Sequence, residues 1–286
     1  MKLIRYTHGD RTSIGVVDDR HAIDLANLLP DAPKSLKDVL AGGADLRHRI
    51  RTALTTSTAR VPLSAVRLEA PLPDAQKYLA IGMNYQDHAE EARRAGITMP
   101  KTQLWFNKQV TCIVGPSDDV HKPRASEKVD YEAELGVVIG QRCRHVSEAD
   151  ARGVVGGYFV ANDVTARDWQ FASPTYTLGK SFDTHGPTGP WIVTPEEVPD
   201  PHDLEMRLTV NGEIRQQQNT GNMIYNIWQQ IAHLSTVMTL MPGDLIATGT
   251  CAGVGIALGK FLQVGDVVRV EIDGIGHIEN RIVPEP

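Results

Sequence analysis

Val129-Asp130-Tyr131-Glu132-Ala133-Glu134-Leu135-Gly136-Val137-Val138-Ile139-Gly140 reads as a strand entering a protein core. Side chains at i and i+2 of a strand leave the same face, so Glu132 and Glu134 project side by side. Two like charges that close are costly unless something positive lies between them. A hard divalent cation meets that need, because Mg²⁺ and similar ions prefer carboxylate oxygens. Asp163, in Asn162-Asp163-Val164-Thr165-Ala166-Arg167-Asp168, is the candidate that closes the set. With it the trio is an all-oxygen metal site and points to an enzyme. Taken alone, two acidic residues two apart fit a solvated strand edge equally well.

The rest of the composition narrows the function classes. A chain of 286 residues, 41% hydrophobic and 22% charged, is an ordinary soluble composition with enough length for a large core. A net charge of −6 argues against nucleic acid, which demands concentrated positive charge. It also means that an anionic substrate needs a local cation or specific basic residues. Cys112, Cys143 and Cys251 are odd in number and widely spaced, which suggests neither a disulfide framework nor a zinc site. Met1-Lys2-Leu3-Ile4-Arg5 carries no apolar signal stretch, and no run approaches the roughly 18 apolar residues of a membrane span. The expected compartment is cytoplasmic.

Outward from the carboxylate strand, the pattern is β-rich. Residues 2–7, 13–18 and 23–25 read as strands, followed by helical segments at 35–41 and 45–55. The proline-rich stretch Pro71-Leu72-Pro73 marks an expected boundary between a small N-terminal α+β domain (1–70) and a larger catalytic domain (71–286). Beyond it, 77–82 is a strand, and Asn84 or Asp87 can cap a helix running to Ala95, with Gly96 as its stop. Strands follow at 104–107, 112–114, 154–161, 191–193, 204–210, 245–248, 267–272 and 278–283. Ser147–Arg152 reads as the start of a short helix, and Asn211-Gly212 as a hairpin turn. Ile224, Ile227, Trp228, Ile231, Leu234 and Met238 recur at three and four residues, which predicts an amphipathic helix over 223–239. Strands outnumber helices without βαβ alternation, so the expected class is a mixed or antiparallel, β-rich α+β fold.

Three further groups of residues can carry chemistry. In a helix, His88 and Glu91 share a face, and a carboxylate beside an imidazole fixes its tautomer and raises its basicity. Such a pair can activate water; it is also what a surface ion pair looks like. Arg167 and Gln170 lie within two turns of Asp163, and Lys180 follows in Gly179-Lys180-Ser181-Phe182-Asp183, which lacks the glycine spacing of a phosphate loop. Ala247-Thr248-Gly249-Thr250-Cys251-Ala252-Gly253 is a strand end running into small residues, able to offer backbone N–H groups to an anion or to serve as a plain glycine turn.

In combination these stretches resemble the fumarylacetoacetate hydrolase family. The resemblance rests on Gly82-Met83-Asn84-Tyr85-Gln86-Asp87-His88-Ala89-Glu90-Glu91, Asp130-Tyr131-Glu132-Ala133-Glu134-Leu135, Asn162-Asp163-Val164-Thr165-Ala166-Arg167-Asp168, Gly179-Lys180-Ser181-Phe182-Asp183 and Thr248-Gly249-Thr250, in the family order. It covers residues 75–286, and the first 70 resemble the small N-terminal domain of many members. It implies a roll of mixed sheets and a homodimer. It implies Mg²⁺ or Mn²⁺, with Ca²⁺ in some members, at Glu132, Glu134 and Asp163. His88 and Glu91 fall on the family's catalytic dyad, often on a lid that orders with ligand. Arg167, Gln170, Lys180 and Thr250 fall on substrate-contacting positions, with Lys180 an oxyanion donor, and Tyr85 is taken as a further substrate contact. Two positions depart from the pattern: Cys251 where proline is common, and Cys112 where serine is usual. Both are expected near the pocket. The chemistry so implied is hydrolytic C–C cleavage of a small anionic 2,4-dioxo acid, of the acylpyruvate type, through a pyruvate enolate. Decarboxylation of a 2-oxo acid such as oxaloacetate, or tautomerisation or isomerisation of an unsaturated 2-oxo diacid, needs much of the same site. A non-catalytic metal- or ligand-binding protein is the reading of a different class.

Overall fold

The strand Ala133–Ile139 is buried along its whole length and divides the core in two. Leu135, Val137 and Ile139 pack into one apolar cluster, and Val138 into another on the opposite face. That alternation is the period of two expected of a strand. It puts Glu134 on the Val138 face, at the strand's N-terminal end. The computed structural model describes residues 1–286.

A 12-stranded mixed sheet forms the frame. Ala133–Ile139 lies antiparallel between Val155–Asn162 and Leu245–Ala247. The sheet continues on one side through the parallel strand Tyr78–Gly82 and then Leu104–Lys108. On the other side Val155–Asn162 pairs with Gly186–Val193, which pairs in turn with Lys2–His8. Lys2 and Leu3 stand opposite Val193 and Ile192, so the sheet is continuous across the stretch at Pro71–Pro73. A second, 5-stranded sheet of Glu205–Val210, Glu213–Asn219, Val267–Ile272, Gly276–Pro284 and Val120–Lys122 covers the first face, together with the helix Ile227–Val237. The helices Leu25–Leu28, Leu36–Ala41 and Gly43–Leu54 cover the other. No helix is long and apolar enough to cross a membrane. The β-rich α+β class expected from the sequence is what the chain adopts.

Local chemistry explains most boundaries. Asn211 and Gly212 both take positive φ, 52° and 82°, as a two-residue hairpin turn requires. Gly96, at φ 80°, follows the helix Gln86–Arg94 as its stop. Three expectations need correction. The amphipathic helix begins at Ile227, not 223, because Asn226 and Gln229 form a capping box. The residues ahead of it are extended and bound elsewhere: Met223 bridges to Tyr85, and the Ile224 N–H donates to the Asn84 carbonyl. Neither Asn84 nor Asp87 caps the helix Gln86–Arg94, whose first flanking residue is Tyr85. Asn84 turns inward instead: its amide donates to the carbonyls of Thr248 (2.7 Å) and Tyr225 (3.0 Å) and accepts from the Tyr225 N–H (2.9 Å). At Ser147 the side chain locks a turn with Asp150, and only Ala151–Val154 winds into a 3₁₀ turn. The strand Glu213–Asn219, the return arm of the Asn211-Gly212 hairpin, carries too many amides to show an apolar alternation.

Gly136 shows how tightly the frame is packed. A Cβ there would lie 2.4 Å from two carbons of the Phe159 ring on the neighbouring strand. Gly136→Ala is expected to destabilise the protein by roughly 1–3 kcal/mol, the usual cost of overpacking a core. Urea unfolding checks this, and an unchanged midpoint would show that the Phe159 ring moves aside freely.

Candidate active site

The ends of three neighbouring segments bring the carboxylates together. The Asp163 N–H donates to the Glu132 carbonyl (2.9 Å), and the Glu132 N–H donates to the Asn162 side chain (3.0 Å). These bonds tie the start of one strand to the end of the next. Glu132, Glu134 and Asp163 are all buried, and one oxygen of each lies within 4.8 Å of the others. Glu132 lies just ahead of the strand, not within it, but keeps the parity that puts it beside Glu134.

Buried charge at this density requires partners, and the structure supplies three cations. The Lys180 ammonium bridges two of the carboxylates, donating to Glu132 Oε2 (2.7 Å) and Asp163 Oδ2 (2.8 Å). Lys108 donates to Asp163 Oδ1 (2.6 Å) and to the Lys180 carbonyl. Arg167 pairs through Nη1 with Glu132 Oε1 (2.7 Å) and through Nε with Asp130 Oδ2 (2.8 Å). Asp130 is itself held by the N–H groups of Gly255 and Ile256. Desolvation works to raise the Glu132 carboxyl, yet the Lys180 and Arg167 charges outweigh it and hold it down to about 2. Burial alone would lower the Arg167 guanidinium, but Asp130 and Glu132 reverse that and raise it.

Glu134 is the exception. Its only hydrogen-bond partner is the Gly249 N–H (2.8 Å), and no lysine or arginine pairs with it. Burial, reinforced by the charges of Asp163 and Glu132, pushes its carboxyl well above the usual carboxylate range. Four carboxyl groups (Asp130, Glu132, Glu134, Asp163) therefore face three cations, and Glu134 is the one left without a cation partner. A divalent cation fits here on donor chemistry. All three ligand groups offer carboxylate oxygen, and the oxygens already paired with lysine or arginine keep spare lone pairs.

The helix Gln86–Arg94 places His88 and Glu91 on one face. His88 Nδ1 lies 3.0 Å from Glu91 Oε2, and Glu91 Oε1 accepts from the Gly253 N–H (3.0 Å). Asp87 accepts from Gln218 Nε2 (2.9 Å). The helix is thus tied at both carboxylates to the Gly253 loop and to the strand Glu213–Asn219. An acceptor at Nδ1 fixes the proton there and leaves Nε2 as the basic nitrogen.

One cavity of about 750 Å³, including its solvent-filled mouth, reaches the His88–Glu91 pair and Glu132, whereas Glu134 and Asp163 are buried and do not line it. His88, Glu91, Glu132, Arg167, Gln170, Lys180 and Thr250 all line it. Other expected residues are placed differently. Tyr85 is fully buried and is not part of the lining; its hydroxyl has no partner and packs in the core behind the helix. Thr250 uses its hydroxyl internally, donating to the Ala133 carbonyl and accepting from Gln216. Lys180 gives two of its three ammonium N–H groups to Glu132 and Asp163 as their counter-charge, and it lines the cavity. Two donors near it remain open: Arg167 Nη2 is buried without a partner, and the Gln170 amide nitrogen makes no bond to protein while its oxygen accepts from Arg167 Nη1 (3.0 Å). Cys112 and Cys251 are both buried and neither lines the cavity. Burial pushes the Cys112 thiol up to about 11.

Lys108 was missed by sequence reasoning. The signal was present: in Leu104–Lys108, Phe106 and Lys108 alternate on the buried face, and a lysine facing inward demands a carboxylate partner. Asp130, Asn84 and Gln216, which hold Arg167, Thr248 and Thr250, carried no such mark.

Comparison with known proteins agrees with the geometry. The family model for the fumarylacetoacetate (FAA) hydrolase C-terminal region matches residues 77–283, and the Rv2993c-like N-terminal model matches residues 1–71. The mitochondrial oxaloacetate tautomerase fahd2 of Xenopus laevis is 40% identical over 291 residues, covering 99% of this chain and 90% of that one. Maleylpyruvate hydrolase of Sphingobium sp. SYK-6, solved with manganese(II) and pyruvate, matches with a TM-score of 0.85 at 34% identity over 100% of both chains. The 5-carboxymethyl-2-hydroxymuconate delta-isomerase of Mycobacterium smegmatis matches at a TM-score of 0.80 and 32% identity, again over 100% of both. These relatives are enzymes of hydrolase, isomerase and tautomerase type. With 207 of its residues matched by the family model and the carboxylate cluster in place, the chain belongs to the fumarylacetoacetate hydrolase family.

Proposed function

We propose that this protein is a divalent-metal-dependent hydrolase that cleaves a C–C bond in a 2,4-dioxo acid. The observation that carries the reading is the meeting of two devices at one cavity: a cluster of three carboxyl groups that reaches it through Glu132, and a His–Glu pair at 3.0 Å. The first suits a cation that holds a 2-oxo acid; the second suits activation of water. Glu132, Glu134 and Asp163 would hold Mg²⁺ or Mn²⁺. Bound there, the ion supplies Lewis-acid stabilisation of negative charge on the 2-oxo oxygen.

The remaining work falls to the chain's own side chains. His88 Nε2 takes a proton from water, and Glu91 holds the ring in the required tautomer and stabilises the imidazolium that forms. The hydroxide attacks the carbonyl beyond the 2-oxo group. Arg167 Nη2 and the Gln170 amide, both unpartnered, donate to the oxygen that becomes negative. Lys180 and Lys108 keep Glu132 and Asp163 in place as the charge distribution changes. Transfer of the proton from His88 then completes departure of the pyruvate half.

A second reading draws on the Xenopus laevis tautomerase, 40% identical over nearly the whole chain. Tautomerisation of a 2-oxo diacid needs the cation and one proton shuttle but no attack by water. Incubation with Mn²⁺ and a panel of acylpyruvates and oxaloacetate separates the two. Hydrolysis releases pyruvate and a second carboxylic acid in equal amounts. Interconversion of keto and enol forms without either product would replace the hydrolytic reading with the tautomerase one.

Two more outcomes follow from the site. His88→Ala is expected to lower kcat by about 10²–10⁴-fold, the usual contribution of a general base, and to leave Mn²⁺ affinity unchanged. Parallel loss of metal binding in calorimetry would place His88 in the ion's site instead. Because the Glu134 carboxyl is raised, it holds a proton that an incoming cation must displace. Metal affinity should therefore rise with pH up to the raised value and level off above it. Calorimetry in buffers of different ionisation enthalpy should find up to about one proton released per ion, and none in Glu134→Gln. Release undiminished in that variant would assign the proton to another group.

A further inference from the structure

The cavity has a charged end and an apolar end, and the apolar end contains no free cation. Its polar lining residues are bonded to one another or to the start of the carboxylate strand. Glu132 joins Lys180 and Arg167, Arg167 joins Gln170, His88 joins Glu91, and Thr250 bonds the Ala133 carbonyl. The remaining lining is apolar or aromatic and includes Ile97, Leu104, Phe171, Tyr176, Val254 and Ile256.

A run of aromatic rings shows the direction of this wall. Lys180 Nζ sits 5.0 Å from the Phe106 ring centre. Phe106 meets Tyr176 edge-on at 6.0 Å, and Tyr176 meets Phe171 edge-on at 6.4 Å. Phe106 is 6% exposed and Phe171 is 52% exposed, so the run leads from the charged end to the mouth. Along it the only lining lysine and arginine are Lys180 and Arg167, both committed to carboxylates. Arg93 and Arg94 belong to the neighbouring helix but are exposed and lie off the lining. Ala92 on the same helix and Ala95 just past its end line the cavity and leave width for a tail.

We infer that the substrate is a monocarboxylate whose acyl group ends in an apolar chain or ring, and that the Phe106–Tyr176–Phe171 wall with Ile97 and Ile256 selects it. The inference rests on the reading above, which puts the 2-oxo acid head at the charged end. A second carboxylate at the tail would lose water beside aromatic rings and find no cation, a cost that burial of a charge always carries when it is unpaired. An apolar tail gains about 25 cal/mol per Å² buried against the same wall.

The test compares two ligands with one head. N-Butyloxamate and N-(2-carboxyethyl)oxamate both present a 2-oxo acid group, and neither has the methylene and 4-oxo carbon whose bond is cleaved. Calorimetry on the Mn²⁺-loaded full chain is expected to show the butyl compound binding at least about tenfold tighter. In turnover, kcat/KM for straight-chain acylpyruvates should rise about fourfold per methylene, the equivalent of about 0.8 kcal/mol, until the wall is covered. Ile256→Lys, a change at a position 39% exposed, should shrink the oxamate preference at least about tenfold. Equal or tighter binding of the carboxyethyl compound would overturn the inference, as would a preference untouched by Ile256→Lys. Binding of neither oxamate would overturn the placement of the head, and both readings with it. Butyl preference without hydrolysis of any 2,4-dioxo acid would sink the hydrolase reading while leaving the apolar tail in place.

Discussion

The Lys180 ammonium, shared between Glu132 and Asp163, is the interaction on which the rest of the site depends. Both carboxylates are buried, and no water-like medium screens them. Removing one partner of a buried ion pair typically costs about 3–5 kcal/mol, because the other charge is left uncompensated. Lys108 and Arg167 extend the same logic outward, one to Asp163 and the other to Asp130. The arrangement gives every carboxyl group of the cluster but one a cation partner. It leaves Glu134 with a single backbone donor and no cation of the chain's own.

The sheet architecture is what makes this crowding possible. The strand Ala133–Ile139 starts, and Val155–Asn162 ends, at the same edge of the frame. The strand Leu245–Ala247 runs out beside them, so the turn at Thr248-Gly249-Thr250 meets the carboxylates from a third direction. Gly249 takes φ 100°, and a Cβ there would lie 2.6 Å from that of Asn84, so the turn's N–H can face Glu134 only with glycine at this position. Asn84 then ties that turn to the segment leading into the helix of His88. The two halves of the site are therefore joined at the buried Asn84 amide as well as through Glu91 and the Gly253 N–H, which couples the position of the His88–Glu91 pair to the strand ends.

Much of this was legible in the sequence, for reasons that can be stated. Parity along a strand put Glu132 and Glu134 together, and helical spacing put His88 beside Glu91. Ordered stretches shared with a known family supplied Asp163, Arg167, Gln170 and Lys180, which spacing alone left open. What was not legible came from contacts between segments far apart in the chain. The helix beginning at Ile227 and not at 223 follows from Asn84 claiming the backbone of Ile224 and Tyr225. Lys180, expected as an oxyanion donor, is also the counter-charge of Glu132 and Asp163, which no local pattern showed. Tyr85 looks polar and available in the motif, but the strand before it and the helix after it turn its ring into the core. Lys108 went unread because a lone lysine in a short strand is usually a surface residue; only its shared face with Phe106 marked it otherwise.

As a cation site, the trio depends on the Glu134 carboxyl, the one group of the three without a lysine or arginine partner. Anomalous diffraction from crystals grown with saturating Mn²⁺ tests it most directly. One strong peak roughly 2 Å from an oxygen of each of Glu132, Glu134 and Asp163 is the expected result. A peak that leaves Glu134 uncoordinated, or full occupancy of the cluster by Lys180 and Lys108 with no ion between the carboxylates, would contradict it.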